Sequence, residues 1–216
     1  MQKHERLQGL YAITQSHPEG FDALLNQVAG ALIGGTRIVQ YRDKRPGDVR
    51  RKSEGAALLA LCHEHDALLI INDDATLAKA IGADGVHVGK QDNDIASVRA
   101  TVGGDAVIGI SCYNQLPLAI TAQNAGADYV AFGRFFPSLT KPDAVQADIA
   151  LLGEAKQSLR IPVVAIGGIT PENGGTLIQA GADMLAVING IFGAPDSAAS
   201  CRRFRLLFDT PERPPS

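Results

Sequence analysis

Short apolar runs alternate with amphipathic segments along almost the whole chain, and this alternation restricts the folds that the chain can adopt. The apolar runs predict strands near Gly9–Thr14, Thr36–Tyr41, Ala67–Ile71, Gly85–Val88, Ala106–Ile110, Tyr129–Gly133, Pro162–Ile166 and Met184–Ile188. The amphipathic segments predict helices, among them Phe21–Ile33, Asp48–His65, Gln115–Ala125, Pro171–Ala180 and Ser197–Phe208. No region holds strands alone or helices alone, so the pattern predicts a series of parallel β/α units.

The series predicts the α/β class and a single (β/α)8 TIM barrel with parallel strands over residues 1–208. An open, doubly wound sheet with fewer strands is the alternative. The 216 residues lie near the lower size limit of a barrel, roughly 200 residues. Hydrophobic residues make up 45% of the chain and aromatic residues 5%, which suits strands covered on both faces. We expect residues 209–216 to form a disordered C-terminal tail.

Composition narrows the classes of partner. The formal net charge is −3 and no basic run stands out, so we do not expect a nucleic-acid partner. No apolar run is long enough to predict a membrane span or a secretory signal. The three cysteines lack any CxxC spacing and predict reduced thiols. These features predict a cytoplasmic protein with neither a nucleic-acid nor a membrane partner, and they leave a homo-oligomer open.

The tripeptide Gly-Ala-Asp occurs three times, at residues 82–84, 126–128 and 181–183, each time just before an apolar strand. Its glycine can end the preceding helix in a left-handed turn. We interpret these tripeptides as connectors at the bottom of the barrel, the end at which the strands begin. Working residues of TIM barrels lie at the opposite end, the top, where the strands end.

Polar residues leave the second strand at the predicted top. Side chains alternate along a strand, so Gln40, Arg42 and Lys44 share one face while Val39 and Tyr41 share the other. If the apolar pair packs against the helices, the polar set faces the barrel mouth. Two cations and an amide there indicate an anion site, although a solvated strand end is the plainer alternative.

The third and fourth strands lead into carboxylates. Asn72 and Asp73 follow the third strand, and Asp74 is predicted to cap the next helix. Asp92 follows the fourth strand, and two carboxylates with substrate phosphate oxygens are a usual Mg²⁺ arrangement. His87 alternates with two valines, and we interpret it as a hydrogen-bonded core residue rather than a catalytic group.

Two further features lie at the predicted top. The segment Pro137–Gln146 is long for a loop in a compact domain, and its polar residues Ser138, Thr140 and Lys141 suit a lid that closes over phosphate. Glycines follow the seventh strand at 167–168, and Ile188 and Asn189 follow the eighth. Such turns form the phosphate site that many TIM barrels share.

The motifs QYRDK (40–44), INDD (71–74), HVGKQD (87–92), GIS (109–111), FPSLTK (136–141) and AIGGI (165–169) occur in this order at successive strand ends. As a set they resemble the thiamine-phosphate synthase family, over about residues 8 to 208. The resemblance implies a Mg²⁺-dependent transferase. It would join 4-amino-2-methyl-5-pyrimidinylmethyl diphosphate to 4-methyl-5-(2-phosphoethyl)thiazole, giving thiamine phosphate and diphosphate.

The resemblance also assigns residues. It implies that the pyrimidine diphosphate is bound by Gln40, Arg42, Lys44, Asn72, Ser111 and Lys141, and that Mg²⁺ is held by Asp73 and Asp92. It implies that the thiazole phosphate is bound by Gly168, Ile188 and Asn189, with Ser138 and Thr140 touching it or the diphosphate. The catalytic set would be Arg42, Lys44, Ser111 and Lys141.

The chain departs from the family pattern at three positions. Many relatives have threonine at position 138, serine at 189 and proline at 134, where this chain has Ser138, Asn189 and Arg134. The hydroxyl is kept at 138. The change at 189 leaves a backbone role intact but puts a side-chain role in question.

Three other functions compete with this one. A thiazole tautomerase-like isomerase has no diphosphate substrate and no reason to keep Arg42, Lys44, Asp73 and Asp92 together. A barrel of the sugar-phosphate epimerase type would use the two aspartates as an acid and base pair, and metal dependence with diphosphate release separates it from a synthase. A non-catalytic barrel that binds thiazole phosphate is the third, and the same four charged residues argue against it.

Overall fold

The computed structural model describes residues 3–15, 19–45, 47–89, 94–137 and 145–209. Its strands are all parallel and close into a barrel in sequence order, with β1 paired to both β2 and β8. The strands are β1 Gly9–Ile13, β2 Ile38–Tyr41, β3 Leu68–Asn72, β4 Gly85–Val88, β5 Val107–Tyr113, β6 Tyr129–Phe132, β7 Val163–Ile166 and β8 Met184–Val187. The predicted (β/α)8 fold is confirmed and the open sheet is excluded. Residues 210–216, most of the predicted tail, lie outside the described residues.

Helices follow the strands around the outside. They are a 3-10 helix Lys3–Arg6, α1 Phe21–Ile33, α2 Asp48–Glu64, α3 Ala75–Ile81, α4 Ile95–Val102, α5 Leu116–Asn124, α6 Ala150–Ser158, α7 Gly174–Gln179, α8 Asn189–Phe192 and α9 Ser197–Leu206. Helix α1 has the predicted bounds. Helix α7 begins at Gly174 rather than at Pro171, because Asn173 Oδ1 accepts the Thr170 N–H at 2.8 Å and holds the preceding residues in a turn.

Strand β5 is longer than predicted. It continues from Ile110 to Tyr113, with a shift in its register against β6 between Ser111 and Tyr113. Ser111 therefore lies within the strand rather than after it. Its position opposite Ala131 of β6 keeps it near the top of the barrel.

The apolar side chains form two layers, as the alternation along each strand requires. Leu10 and Ala12 of β1 belong to the layer between strands and helices, whereas Tyr11 belongs to the layer inside the barrel. Val39 and Tyr41 of β2 also pack outward. This confirms the condition on which the anion site at the end of β2 was predicted.

The inside of the barrel holds two tyrosines, and a glycine on β5 makes room for one of them. Tyr11 and Tyr129 are both fully buried there. A Cβ atom on Gly109 of β5 would lie 1.9 Å from Tyr129 Cζ, so only glycine at this position leaves room for the ring. The apolar side chains around the two rings include Ile38, Leu68, Ile70, Val107, Val164 and Met184.

The Gly-Ala-Asp tripeptides lie at the bottom of the barrel, as expected. Each aspartate accepts a backbone N–H from the start of the preceding strand: Asp84 from Leu69 at 2.7 Å, Asp128 from Ile108 at 2.8 Å and Asp183 from Val163 at 2.9 Å. Each also pairs with a basic side chain of the helix before that strand, respectively His63, Arg99 and Lys156. The tripeptide therefore joins two strands and a helix in every second β/α unit.

The three cysteines are buried and none forms a disulfide. Burial raises the pKa of the Cys62 and Cys112 thiols to about 12 and that of Cys201 to about 11. Such thiols stay protonated near neutral pH, which fits a packing role. Within the described ranges, no helix is long and apolar enough to cross a membrane.

Candidate active site

The end of β2 places the first predicted residues at the top of the barrel. Gln40 is only 2% exposed and points inward, where its amide nitrogen donates to Tyr11 Oη at 2.6 Å. The strand ends at Tyr41, and the Arg42 N–H donates to Thr14 Oγ1 at 3.0 Å at the end of β1. Arg42 is half-buried and Lys44 is exposed. Among the described residues, neither of these cations forms an ion pair.

A buried ionic cluster fixes the loop that carries these cations. Asp43 lies between them, and its side chain is 2% exposed. Arg50 of α2 donates to Asp43 at 2.5 Å and to Glu54 at 2.7 Å, and Arg45 donates to Asp43 at 2.7 Å. Tyr41 completes the cluster by donating to Glu54 at 2.5 Å.

This cluster was not predicted from the sequence. The spacing of Arg50 and Glu54 on one helix face was visible, but their contact with Asp43 depends on how α2 packs against β2. Burial and the Glu54 carboxylate raise the pKa of Tyr41 well above its ordinary value, so its phenol remains a donor. The cluster anchors the loop from the helix side and leaves both predicted phosphate cations outside it.

The end of β3 carries Asn72 and the exposed carboxylate of Asp73. The Asn72 amide donates to Asp73 Oδ2 at 2.6 Å, and the Asp73 N–H donates to the His87 carbonyl at 2.8 Å. Asp73 has a φ of 60°, a left-handed conformation that non-glycine residues adopt mainly in turns and at functional sites. Asp74 accepts the Leu77 N–H at 2.8 Å and caps α3, as predicted.

A chain of hydrogen bonds crosses the inside of the barrel below this rim. From Gln40 it passes through Tyr11 to Tyr129, whose hydroxyl oxygens are 2.8 Å apart. Tyr129 Oη is 3.0 Å from His87 Nδ1, and His87 Nε2 is 2.9 Å from Ser111 Oγ. His87 is thus a hydrogen-bonded core residue, as interpreted from the sequence.

The two tyrosines of this chain were not predicted. The sequence did hold a signal for them, because each tyrosine brings one polar atom, its hydroxyl oxygen, to an inward position of an apolar strand. Burial raises the pKa of both phenols above the ordinary value, so they keep their protons. The chain links Gln40 and Ser111, two residues that the sequence resemblance assigned to the same substrate.

The loop after β6 begins on top of the glycine turn after β7. Phe135 and Phe136 donate to the carbonyls of Ile166 and Gly167 at 3.2 and 3.1 Å. Gly168 has a φ of 64°, and a Cβ atom there would lie 2.3 Å from the Pro137 carbonyl oxygen. The turn therefore requires glycine both for its conformation and for this close approach.

The two described ends of the same loop are held together. Ala147 donates to the Arg134 carbonyl at 2.8 Å, and Arg134 donates to the Val145 carbonyl at 3.2 Å. Gln146 Nε2 donates to the Phe135 carbonyl at 3.2 Å. Residues 138–144, which include Ser138, Thr140 and Lys141, lie outside the described residues, and so does Asp92. The predicted lid and the second metal ligand therefore stay predictions.

The end of β8 leads directly into α8. Ile188 precedes the helix and Asn189 is its first residue. Ser200 of α9 donates to the Gly190 carbonyl at 2.5 Å and fixes the short helix. A Cβ on Gly193 would lie 2.4 Å from Asn189 Oδ1, so the Asn189 side chain extends along the helix toward Gly193. The Asn189 and Gly190 N–H groups donate to no backbone carbonyl of the described residues.

No group of three or more His, Cys, Asp or Glu side chains that could hold an ion occurs among the described residues. Asp73 offers an exposed carboxylate at the top rim, which fits a hard cation that also takes oxygen ligands from its substrate and water.

Comparison with known proteins decides the family. The family model for thiamine monophosphate synthase matches residues 10–191. The chain belongs to the thiamine monophosphate synthase family. A thiamine-phosphate synthase from Thioalkalivibrio sulfidiphilus is 50% identical over 95% of this chain and 97% of its own length. One from Nitrosococcus oceani is 52% identical over 94% of this chain and 93% of its own length.

Solved structures agree with this membership. A thiamine phosphate pyrophosphorylase from Pyrococcus furiosus has a TM-score of 0.86 and 32% identity, over 96% of this chain and 98% of its own. A 3-hexulose-6-phosphate synthase has a TM-score of 0.65 at 20% identity and shares the fold. The family membership identifies the protein as a transferase of thiamine biosynthesis.

Proposed function

We propose that this protein is a thiamine-phosphate synthase. It condenses 4-amino-2-methyl-5-pyrimidinylmethyl diphosphate with 4-methyl-5-(2-phosphoethyl)thiazole to give thiamine phosphate and diphosphate. The observation that carries the proposal is the top rim. At the top of the barrel, Arg42 and Lys44 follow β2 and Asp73 follows β3. At the same end, a tight glycine turn follows β7 and helix α8 begins after β8. The relatives of about half-identical sequence support the same activity.

The diphosphate side of the site lies at β2, β3 and β5. Gln40 and Asn72 contact the pyrimidine substrate, and Ser111 lies beside its leaving group. Arg42 and Lys44 bind the diphosphate, and Lys141 reaches it from the lid. The buried cluster around Asp43 supports this assignment, because it holds the loop while leaving the two cations without ion pairs in the described structure.

Asp73 and Asp92 would hold Mg²⁺ against the diphosphate. The exposed Asp73 carboxylate beside the Asn72 amide is a suitable donor for this ion. When bound, the ion supplies positive charge that lowers the cost of separating the diphosphate from the pyrimidine. Arg42, Lys44 and Lys141 contribute charge of the same sign at the departing oxygens.

The thiazole phosphate lies at β7 and β8. Gly168, Ile188 and Asn189 bind its phosphate mainly through backbone N–H groups, and Ser138 and Thr140 add hydroxyl contacts. The Asn189 side chain extends toward Gly193, which supports a backbone rather than a side-chain contact at this position. The first N–H groups of a helix have no partners within it and favour anions.

The reaction needs charge stabilisation rather than a base. The C–O bond of the pyrimidinylmethyl diphosphate breaks, its electron pair leaves with the diphosphate, and the aminopyrimidine delocalises the remaining positive charge. The thiazole nitrogen carries no proton and uses its lone pair to form the new C–N bond. His87 is occupied by Tyr129 and Ser111 in the barrel interior, in agreement with a mechanism that assigns no base.

We place the reaction in the cytoplasm, an assignment that the three free, buried cysteines support. A homo-oligomer stays a prediction.

The direct test of the proposed function is incubation of the protein with both substrates and Mg²⁺, followed by mass detection of thiamine phosphate. Product in the full mixture, and none when either substrate is omitted, supports the proposal. Absence of product in the full mixture overturns it.

A further inference from the structure

The hydrogen-bonded chain inside the barrel contains three residues that the proposed function does not use: Tyr11, Tyr129 and His87. The two tyrosines are fully buried, and with His87 they connect Gln40 on β2 with Ser111 on β5. Buried polar atoms in an apolar core are costly unless every one has a partner. The close approach that Gly109 allows shows that this interior is shaped around Tyr129.

The chain has a direction. The Gln40 amide nitrogen only donates, so Tyr11 Oη accepts from it at 2.6 Å. A phenol has a single proton, and the Tyr11 hydroxyl uses it to donate a hydrogen bond to Tyr129 Oη at 2.8 Å. Tyr129 then donates to His87 Nδ1 at 3.0 Å. If Tyr129 instead donated to Tyr11, Tyr11 Oη would accept from both Gln40 and Tyr129. Its own proton would then have no acceptor within the hydrogen-bonded chain.

The direction determines what Ser111 offers at the top of the barrel. A neutral imidazole that accepts at Nδ1 carries its proton on Nε2. This proton is donated to Ser111 Oγ, at 2.9 Å from His87 Nε2. The Ser111 hydroxyl then acts as an acceptor toward His87, and its own proton is available to a ligand above. Ser111 is half-buried and lies near the top of the barrel, opposite Ala131 of β6.

Tyr129 is the central member of the chain. Its ring lies nearly parallel to the His87 ring, with centroids 5.6 Å apart and an angle of 21° between the planes. Its centroid lies 6.0 Å from that of the Tyr11 ring, and the two planes are nearly perpendicular, at 81°. The ring thus holds His87 by stacking while its hydroxyl sets the tautomer, and replacing the hydroxyl alone separates these two effects.

We propose that Tyr129 is a positioning residue, which directs the chain so that the Ser111 hydroxyl donates a hydrogen bond to the departing diphosphate. This inference rests on the proposed function, because that function places the leaving group beside Ser111. It assigns to Tyr129 a role in the rate of bond breaking although the residue is fully buried.

A double-mutant cycle tests this coupling. Tyr129→Phe keeps the ring and should lower kcat about tenfold, the kinetic equivalent of one hydrogen bond, with the KM for the pyrimidine diphosphate within about twofold. Ser111→Ala should lower kcat by at least as much, and the double variant should be no slower than Ser111→Ala alone. Additive losses would overturn the proposal, as would a raised KM with normal kcat.

Ile70→Val is the packing control, since it removes one methyl group from the same interior layer. Its kcat should be normal, and a loss equal to that of Tyr129→Phe would attribute the effect to packing and overturn the proposal.

A second measurement needs no turnover. Nitrogen NMR of ¹⁵N-histidine-labelled protein at mildly alkaline pH, with His87 assigned through the His87→Asn variant, reports which ring nitrogen carries the proton. We expect the proton on Nε2 in the unsubstituted protein and a loss of this preference in Tyr129→Phe. A proton on Nδ1 in the unsubstituted protein would overturn the chain direction. If the protein made no thiamine phosphate, the proposed function would fail, and this experiment would still decide the direction.

Discussion

The three aspartates of the Gly-Ala-Asp tripeptides at the bottom of the barrel and Asp73 at its top differ in how their carboxylates are occupied. Asp84, Asp128 and Asp183 each bind a backbone N–H and a basic side chain, and their side chains are 19%, 12% and 15% exposed. Asp73 at the top is exposed, and its described side-chain partner is the neutral Asn72 amide. The carboxylates of the three tripeptides are thus fully hydrogen-bonded, whereas the Asp73 carboxylate keeps room for another ligand.

This difference separates stability from function in physical terms. A buried carboxylate with all its hydrogen bonds stabilises the connection it makes, and a lost partner leaves a costly unpaired group. A carboxylate or cation that keeps few protein partners contributes little to folding but can bind an ion or a phosphate. We therefore expect substitutions at the bottom to lower stability, and substitutions at the top to lower the rate.

The largest effect is expected at the top, at Arg42 and Lys44. Alanine at either position should lower kcat by roughly 10²- to 10³-fold, about 2.7–4 kcal/mol, because each meets a diphosphate that gains charge as its bond breaks. The thermal unfolding midpoint should be nearly unchanged. Lys52→Ala, an exposed lysine of α2, is the control and should keep full activity. A normal kcat with only a raised KM would show that the cations bind ground state and transition state equally.

The next effect is expected at the bottom. Asp128→Ala removes the acceptor of the Ile108 N–H and the partner of Arg99, and should lower the free energy of unfolding by roughly 2–3 kcal/mol. Asp128→Asn keeps an acceptor and should cost less. Denaturant unfolding and steady-state kinetics on both variants check this, with kcat expected within about twofold of the unsubstituted protein. A large loss of kcat in a stable Asp128 variant would show that the two ends are not separate.

The smallest effect is expected at Asn189, where substitutions decide whether the backbone or the side chain binds the thiazole phosphate. Asn189→Ala should leave the KM for thiazole phosphate within a few-fold, because the backbone is the expected ligand. Asn189→Pro removes that N–H and should weaken binding about tenfold to a hundredfold, the value of one hydrogen bond to a charged group. The two variants are compared at equal thermal stability, since proline also restricts residue 188. A hundredfold loss in Asn189→Ala would identify the amide side chain as the ligand instead.

The sequence predicted the barrel and the inward or outward direction of the β2 side chains, because both follow from the period of side chains along strands. Val39 and Tyr41 pack outward and Gln40 inward, as alternation required. The cap by Asp74 was predicted from local chemistry alone. Contacts between distant parts of the chain were not accessible in this way. The Asp43 cluster depends on the packing of α2, and the Tyr11–Tyr129 contact joins strands 118 residues apart.

The central claim is that the top rim acts on a diphosphate with the help of a divalent cation. The most direct measurement follows diphosphate and thiamine phosphate together in a reaction with both substrates, before and after thorough chelation. We expect release of one diphosphate for each thiamine phosphate that forms. Chelation should abolish both products, and restored Mg²⁺ should bring both back. Undiminished formation of both products after chelation would contradict the assignment of Asp73 and Asp92. Thiamine phosphate formed without diphosphate would contradict the reaction itself.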